Sequence, residues 1–123
     1  MEPLALLMYQ KLLPGSQLVN RLQDLKYRVQ TIGTPSDLAK SALAFKPMVV
    51  LVDLGTFNPE LLREVHRLRE LEETRHLPVI GFGTASGAEA ETAALAAGVT
   101  LVVSEPAILN HLSQCLTKAL ELD

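Results

Sequence analysis

The sequence predicts an α/β fold, in which parallel strands form one sheet and helices cover both of its faces. Short apolar segments alternate with longer helical patterns from one end of the chain to the other. The apolar segment at residues 48–54 carries three valines and one acidic residue, Asp53, as is typical of a strand buried on both faces. Parallel strands need crossover connections, which are usually helices. We therefore expect five strands and five helices in a single domain spanning residues 1–123.

The first three elements follow from hydrophobic periodicity. Residues 4–9 are largely apolar and predict the first strand. The next segment, opened by Gly15 and Ser16, predicts a helix whose inward stripe consists of Leu18, Val19, Leu22 and Leu25. Residues 27–32 alternate between apolar and polar side chains, which indicates a half-buried strand at the outside of the sheet.

The second helix has clear signals at both of its ends. We expect Thr34 to be its N-cap, Pro35 to occupy its first position and Asp37 to stabilise the positive end of its dipole. The helix is predicted to run to about Phe45, because Pro47 stops it. The third strand, buried at residues 49–52, follows directly.

The second half of the chain repeats this alternation. Residues 77–82 and 99–103 are the fourth and fifth predicted strands. The third helix starts at Asn58 and Pro59, and its inward residues are Leu61, Leu62, Val65 and Leu68. Ser86 and Glu89 form a capping box for an alanine-rich fourth helix that ends near Gly98. The closing helix is marked by its apolar residues Ile108, Leu109, Leu112, Leu116 and Leu120.

Composition and charge narrow the classes of function. The net charge is −3 and the basic residues are scattered, which argues against a nucleic-acid or anionic-membrane partner. The densest basic stretch, residues 63–69, alternates with acidic residues and is interpreted as a solvated helix face. The single cysteine, Cys115, is predicted to be a small core residue. One cysteine and no signal-like segment indicate a cytoplasmic soluble domain.

The sequence contains no recognisable catalytic or metal-binding arrangement. The histidines His66, His76 and His111 lack the spacing of metal ligands and are predicted to lie at the surface. No Ser-His-Asp or Cys-His pattern is visible. We therefore expect no enzyme activity, no cofactor and no bound metal.

Several segments, taken together and in order, resemble the receiver domain of bacterial two-component response regulators. They are KPMVVLVDL at residues 46–54, LPVIGF at residues 77–82, AAGVT at residues 96–100, and Pro106 after the fifth strand. The resemblance covers nearly the whole chain and implies a flavodoxin-like sheet in the order 2-1-3-4-5. In that family the acidic residue that ends the third strand accepts a phosphoryl group from a histidine kinase. By position this residue is Asp53, expected to lie exposed at the carboxyl edge of the strand.

The chain departs from the receiver pattern where that family binds Mg²⁺. The resemblance places Tyr9 and Gln10 at the two acidic positions that follow the first strand. A phenol and an amide are poor replacements, because Mg²⁺ prefers carboxylate oxygens in near-octahedral geometry. The loop after Asp53 is also about three residues shorter than is usual in that family.

Further departures affect the groups that contact the phosphoryl group. The family's threonine or serine after the fourth strand aligns with Gly83, and Thr84 comes one residue late. The aromatic residue of the fifth strand aligns with Val102, and the lysine before the proline aligns with Glu105, which we expect near Asp53. These replacements remove the cations that would stabilise a phosphoaspartate and indicate a pseudo-receiver.

Three functions therefore stay open. The first is an interaction module, in which a protein partner or a second copy docks on the fourth helix, the fifth strand and the fifth helix, at about residues 88–97, 101–104 and 107–120. In this case Asp53 is a remnant that caps N–H groups of the loop after it. The second is an atypical receiver that a histidine kinase phosphorylates on Asp53. The third is a sensor of an anion or small ligand at residues 83–87, where N–H groups precede a helix.

Overall fold

Five parallel strands form the sheet in the computed structural model, which describes residues 3–9, 12–55, 59–83 and 88–122. They are β1 (Leu4–Met8), β2 (Arg28–Ile32), β3 (Val49–Asp53), β4 (Val79–Phe82) and β5 (Leu101–Val103). Their spatial order is β2-β1-β3-β4-β5, and each neighbouring pair is parallel. The predicted fold class and strand order are confirmed, including the outer position of the second strand.

Six α-helices are described, one more than predicted. They are α1 (Leu12–Asp24), α2 (Leu38–Phe45), α3 (Pro59–Glu70), α4 (Ala88–Ala97), α5 (Glu105–Asn110) and α6 (Leu112–Leu122). The prediction of a single closing helix was wrong, because the backbone leaves helical geometry at His111, where φ is −130° and ψ is 37°. This break allows the two halves to pack differently: α5 lies against α1, whereas α6 lies against β4.

Two apolar clusters cover the two faces of the sheet. One cluster lies between the sheet and α2, α3 and α4, and it takes Leu6, Val50 and Val52 from the strands. The other lies between the sheet and α1, α5 and α6, and it takes Leu7 and Leu51. Alternate side chains of a strand point to opposite faces, so a strand that supplies both clusters must be apolar throughout. This explains why Val49, Val50, Leu51 and Val52 are all apolar and buried.

Helix α1 differs from the prediction at both ends. It begins at Leu12, ahead of the predicted opening at Gly15, and a proline in its first turn costs no helical hydrogen bond. Leu18 and Leu22 are buried as expected. Leu25 was expected to face inward and is 39% exposed, because the helix has ended and Lys26 takes a left-handed conformation with φ at 70°.

The start of the second helical segment is a separate turn. Residues Pro35–Asp37 form a 3₁₀ turn, and α2 begins only at Leu38. Thr34 has the extended backbone of an N-cap, but its side chain makes no capping hydrogen bond. The predicted end is confirmed: α2 stops at Phe45, where Lys46 takes a left-handed conformation before Pro47.

Arg69 joins three segments at the amino edge of the sheet, so the prediction of a solvated face was wrong for this residue. Its guanidinium donates to the Gly98 carbonyl oxygen at 2.7 and 2.9 Å and to the Thr100 hydroxyl at 3.1 Å. It also donates to the carbonyl oxygens of Arg75 and Leu77, at 2.8 and 2.7 Å. The end of α3 is thereby tied to the α3–β4 connection and to the α4–β5 connection.

Candidate functional site

Asp53 is the last residue of β3 and lies at the carboxyl edge of the sheet, as predicted. In the register of the sheet it is opposite Phe82 of β4, and Val52 before it is opposite Met8 of β1. Tyr9 therefore follows the neighbouring strand at the same edge. This edge is where ligands bind in open α/β sheets. The described geometry places a carboxylate at the usual location of a functional group.

Asp53 is only 7% exposed, so the prediction of an exposed carboxylate was wrong. Its Oδ1 accepts a hydrogen bond from the Gly55 backbone N–H at 2.8 Å. The N–H of Leu54, between these two residues, donates to the Phe82 carbonyl oxygen at 2.8 Å. This hydrogen bond keeps the backbone next to β4 at the point where the chain leaves the sheet. The carboxylate thus caps the backbone turn that follows it.

The backbones of Gly55 and Gly83 lie beside the Asp53 carboxylate. A Cβ added to Gly55 would lie 2.9 Å from Asp53 Oδ1 and 3.6 Å from the Gly83 carbonyl oxygen. A Cβ added to Gly83 would lie 4.0 Å from both Asp53 Oδ1 and the Gly55 Cα. Gly83 also has φ at +71°, a conformation that side-chain-bearing residues rarely adopt. The position that the resemblance aligns with a hydroxyl side chain is thus a glycine whose backbone conformation favours glycine.

Gly81, inside β4, has a role that the sequence did not reveal. A Cβ at this position would overlap Leu54 Cδ1 and press against the side chain of Val99. Leu54 therefore packs into the α2–α3–α4 cluster across the surface of β4, and it is nearly buried. The missing side chain of Gly81 makes room for Leu54, the residue directly after Asp53, to pack on β4.

The remaining predicted site residues are not all brought to Asp53. The side chain of Tyr9 packs against the apolar cluster under α1, α5 and α6. Glu105 is exposed at the first position of α5. It follows β5, which is separated from β3 by β4, so the two strands are ~10 Å apart. Gln10 and Thr84, with their predicted roles, lie outside the described residues.

Val102, at the position that the resemblance aligns with an aromatic residue, packs against the α2–α3–α4 cluster. The capping box of Ser86 and most of the proposed anion site at residues 83–87 lie outside the described residues. In the described part of the chain, no three histidine, cysteine or acidic side chains come together as a metal site.

The histidines and the cysteine lie where they were predicted. His66, His76 and His111 are exposed. Cys115 is buried on the inner side of α6. Burial raises the pKa of the Cys115 thiol, an effect that the nearby Lys118 ammonium partly opposes. No helix among the described residues is long and apolar enough to cross a membrane.

Comparison with known proteins identifies the fold. No family model matches the chain, and no curated protein matches it. Solved structures match over 97–98% of its length. A candidate response regulator from Chloroflexus aurantiacus aligns at a TM-score of 0.87 with 16% identity, and 99% of that chain is covered.

Two further matches are receivers of different kinds. The receiver domain of a sensor histidine kinase from Pseudomonas aeruginosa, solved with a magnesium ion in its active site cleft, aligns at a TM-score of 0.85 with 18% identity and 99% of that chain covered. The chemotaxis response regulator CheY4 of Vibrio cholerae aligns at 0.83 with 18% identity, again with 99% of that chain covered. The chain therefore has the fold of a receiver domain.

Proposed function

We propose that the chain is a pseudo-receiver, a signalling module of two-component type that acts by protein–protein contact and not by Mg²⁺-dependent phosphotransfer. The observation that carries this proposal is the state of Asp53. Its carboxylate is buried, is hydrogen-bonded to the Gly55 N–H and lies beside the backbones of Gly55 and Gly83. A phosphoryl donor would therefore meet a carboxylate that is largely shielded from solvent.

The charges at the aligned positions support the same proposal. Transfer to Asp53 would create a group with a charge of about −2. At an effective dielectric of ~20, one cation ~5 Å away would stabilise each unit of that charge by roughly 3 kcal/mol. The lysine position carries Glu105, and the metal positions carry Tyr9, whose side chain packs into the core, and Gln10. The stabilising cations of a receiver therefore have no counterpart at these positions.

We propose that the signal is passed through the surface formed by α4, β5, α5 and α6. Leu95 on α4 is 46% exposed and stands among small alanines, so another backbone can approach closely. All three residues of β5 are only partly buried, at one edge of the sheet. The partner is a cytoplasmic signalling protein, and no enzyme activity or cofactor belongs to this function.

A second function, phosphorylation of Asp53, is favoured by one observation. The carboxylate lies at the end of the third strand in a chain with the receiver fold. The test is incubation with acetyl phosphate and Mg²⁺, with the intact mass of the protein as readout. We expect no added phosphoryl group, and no change in amide shifts around Asp53 on addition of beryllofluoride with Mg²⁺. Incorporation that disappears in Asp53→Asn would refute the pseudo-receiver proposal.

A further inference from the structure

An exposed apolar patch lies at the amino edge of the sheet, at the opposite end of β3 from Asp53. Its members are Leu43 at 37% exposure and Phe45 and Met48, each at 46%. All three fall within six residues, between the last turns of α2 and the start of β3. Single exposed apolar residues are ordinary, whereas here three large ones fall close together in the chain and adjoin a groove. The five residues of β3 separate this patch from Asp53 by ~16 Å.

A groove of about 610 Å³ adjoins the patch. Its apolar lining includes Leu43, Pro47 and Leu77. The wall formed by the α3–β4 connection is fixed from within, because the buried Thr74 hydroxyl donates to the Leu68 carbonyl oxygen at 2.7 Å. Arg69 holds the same connection at Leu77. A wall that is already ordered loses little conformational entropy when a side chain enters the groove.

The charges at this groove indicate what can occupy it. Lys46 and Glu73 line it, and both residues are exposed. In the part of the chain that the structure describes, neither has an ion-pair partner within its own chain. A surface that carries one cation and one anion around an apolar centre is complementary to itself. A two-fold arrangement can place Lys46 of each copy against Glu73 of the other, which would give both charges a partner.

We propose that a second copy of this chain occupies the patch and groove in a two-fold dimer, with Phe45 of each copy in the groove of the other. The patch side chains expose on the order of 200 Å² per copy, whereas a stable interface buries ~800 Å² per partner. The dimer is therefore weak and depends on protein concentration. This self-association uses a different edge of the sheet from the Asp53 site and from the proposed α4 surface.

Sedimentation velocity on the whole chain, over ~10 to ~500 μM, tests the proposal directly. We expect the monomer to convert to a dimer across this range. Phe45→Glu and, independently, Met48→Lys should each weaken association at least ~10-fold, because each places a charge at the apolar centre of the interface. The matched control is Leu95→Glu, which changes an equally exposed residue on α4 and should leave the dimer intact.

A charge exchange identifies the pairing. Lys46→Glu and Glu73→Lys alone should each weaken the dimer, and the double variant should return the dissociation constant to near the original value. Lys46→Glu keeps a side chain at a backbone with φ at 50°, so the two residues share the same backbone strain. Circular dichroism and melting temperature confirm that each variant is folded.

Three outcomes would overturn the dimer proposal. They are a monomer at every concentration, a dimer dissolved by Leu95→Glu but not by Phe45→Glu or Met48→Lys, and a double charge variant no better than the single ones. A monomer that still captures an unrelated protein through Phe45 would also contradict the second copy as occupant. None of these outcomes bears on Asp53, because phosphoryl incorporation is measured separately.

Discussion

Gly55 lies so close to the Asp53 carboxylate that a methyl group on Gly55 would be 2.9 Å from Asp53 Oδ1, and 3.6 Å from the Gly83 carbonyl oxygen. The loop after β3 is thereby held against the end of β4. The Gly55 N–H completes the arrangement by donating to Asp53 Oδ1 at 2.8 Å. The Asp53 carboxylate therefore stabilises the turn of the backbone that follows it, next to Gly55 and Gly83.

Gly55→Ala should destabilise the protein by about 1–2 kcal/mol, because the new Cβ would lie 2.9 Å from Asp53 Oδ1 and force the loop to shift. The free energy of unfolding from urea denaturation measures this effect. Gly33→Ala is the control, since no atom lies within 4 Å of its added Cβ and its φ is not in the left-handed region. That change should be neutral or slightly stabilising. Equal effects at the two sites would contradict the packing described here.

Gly83→Thr should destabilise the protein, although it supplies the hydroxyl that receivers carry at this position. A β-branched residue at φ of +71° is strained, and the cost is on the order of 1–3 kcal/mol. Gly83→Asn should cost less, because asparagine tolerates the left-handed conformation. Thermal or urea denaturation of the two variants gives the comparison, and a threonine variant as stable as the original would disprove it.

Restoring the missing charges should recover some Mg²⁺ binding. The variant combines Tyr9→Asp, Gln10→Asp and Glu105→Lys and keeps Gly83, so that the strain of a threonine is avoided. Removing the packed Tyr9 ring costs stability, so folding is verified first. Isothermal titration calorimetry measures the affinity, and adding Asp53→Asn to the variant is the control. A folded variant without measurable affinity would show that the loop after β3, and not the missing charges, is the main obstacle to Mg²⁺ binding.

Arg69→Ala should lower the free energy of unfolding by about 2–3 kcal/mol, because carbonyl oxygens from two connections lose a charged donor. Arg69→Lys should recover little of this loss, since the three donors of an ammonium group sit on one nitrogen and cannot reach the acceptors that Nε, Nη1 and Nη2 of the guanidinium contact. Arg63→Ala removes an exposed arginine from the same helix and should change stability by less than about 0.5 kcal/mol. A similar effect at the two positions would refute the role given to Arg69.

The Cys115 thiol should react only at elevated pH. Burial raises its pKa, so the thiolate that reacts with iodoacetamide forms at higher pH than in a free cysteine. The unfolded thiol loses its proton first as pH rises, and this group's contribution to stability therefore decreases above the ordinary thiol pKa. Alkylation rates measured across pH test the first statement, with Cys115→Ser as the blank. A profile matching that of a free cysteine would contradict it.

The fold could be predicted from the sequence because its signals are local. The valine-rich β3 and the stop at Pro47 are read from adjacent residues, and the outer position of residues 27–32 follows from their alternation. The acidic residue at the end of β3 could also be identified from the adjacent sequence alone. The strand order came from the family resemblance, and the described sheet confirms it.

The missed features depend on contacts between residues that are distant in the sequence. Arg69 meets Gly98, 29 residues away, through a backbone carbonyl oxygen, which leaves no pattern of residue types. Asp53 is buried beside Gly55 and Gly83, which belong to two different connections of the chain. The helix break at His111 has no proline or glycine beside it. The helices on its two sides pack against different elements, α5 against α1 and α6 against β4.

The arginine at the end of α3 also has a consequence for how the second half of the molecule opens. Because one guanidinium holds both the Leu77 and the Gly98 carbonyl oxygens, the two connections cannot loosen independently. Thr100 adds a further link, since its hydroxyl oxygen also accepts the Val79 N–H at 3.1 Å. We therefore expect the backbone amides at the starts of β4 and β5 to exchange with solvent hydrogen at the same free energy of opening. They would then behave as one cooperative unit that opens in a single subglobal step.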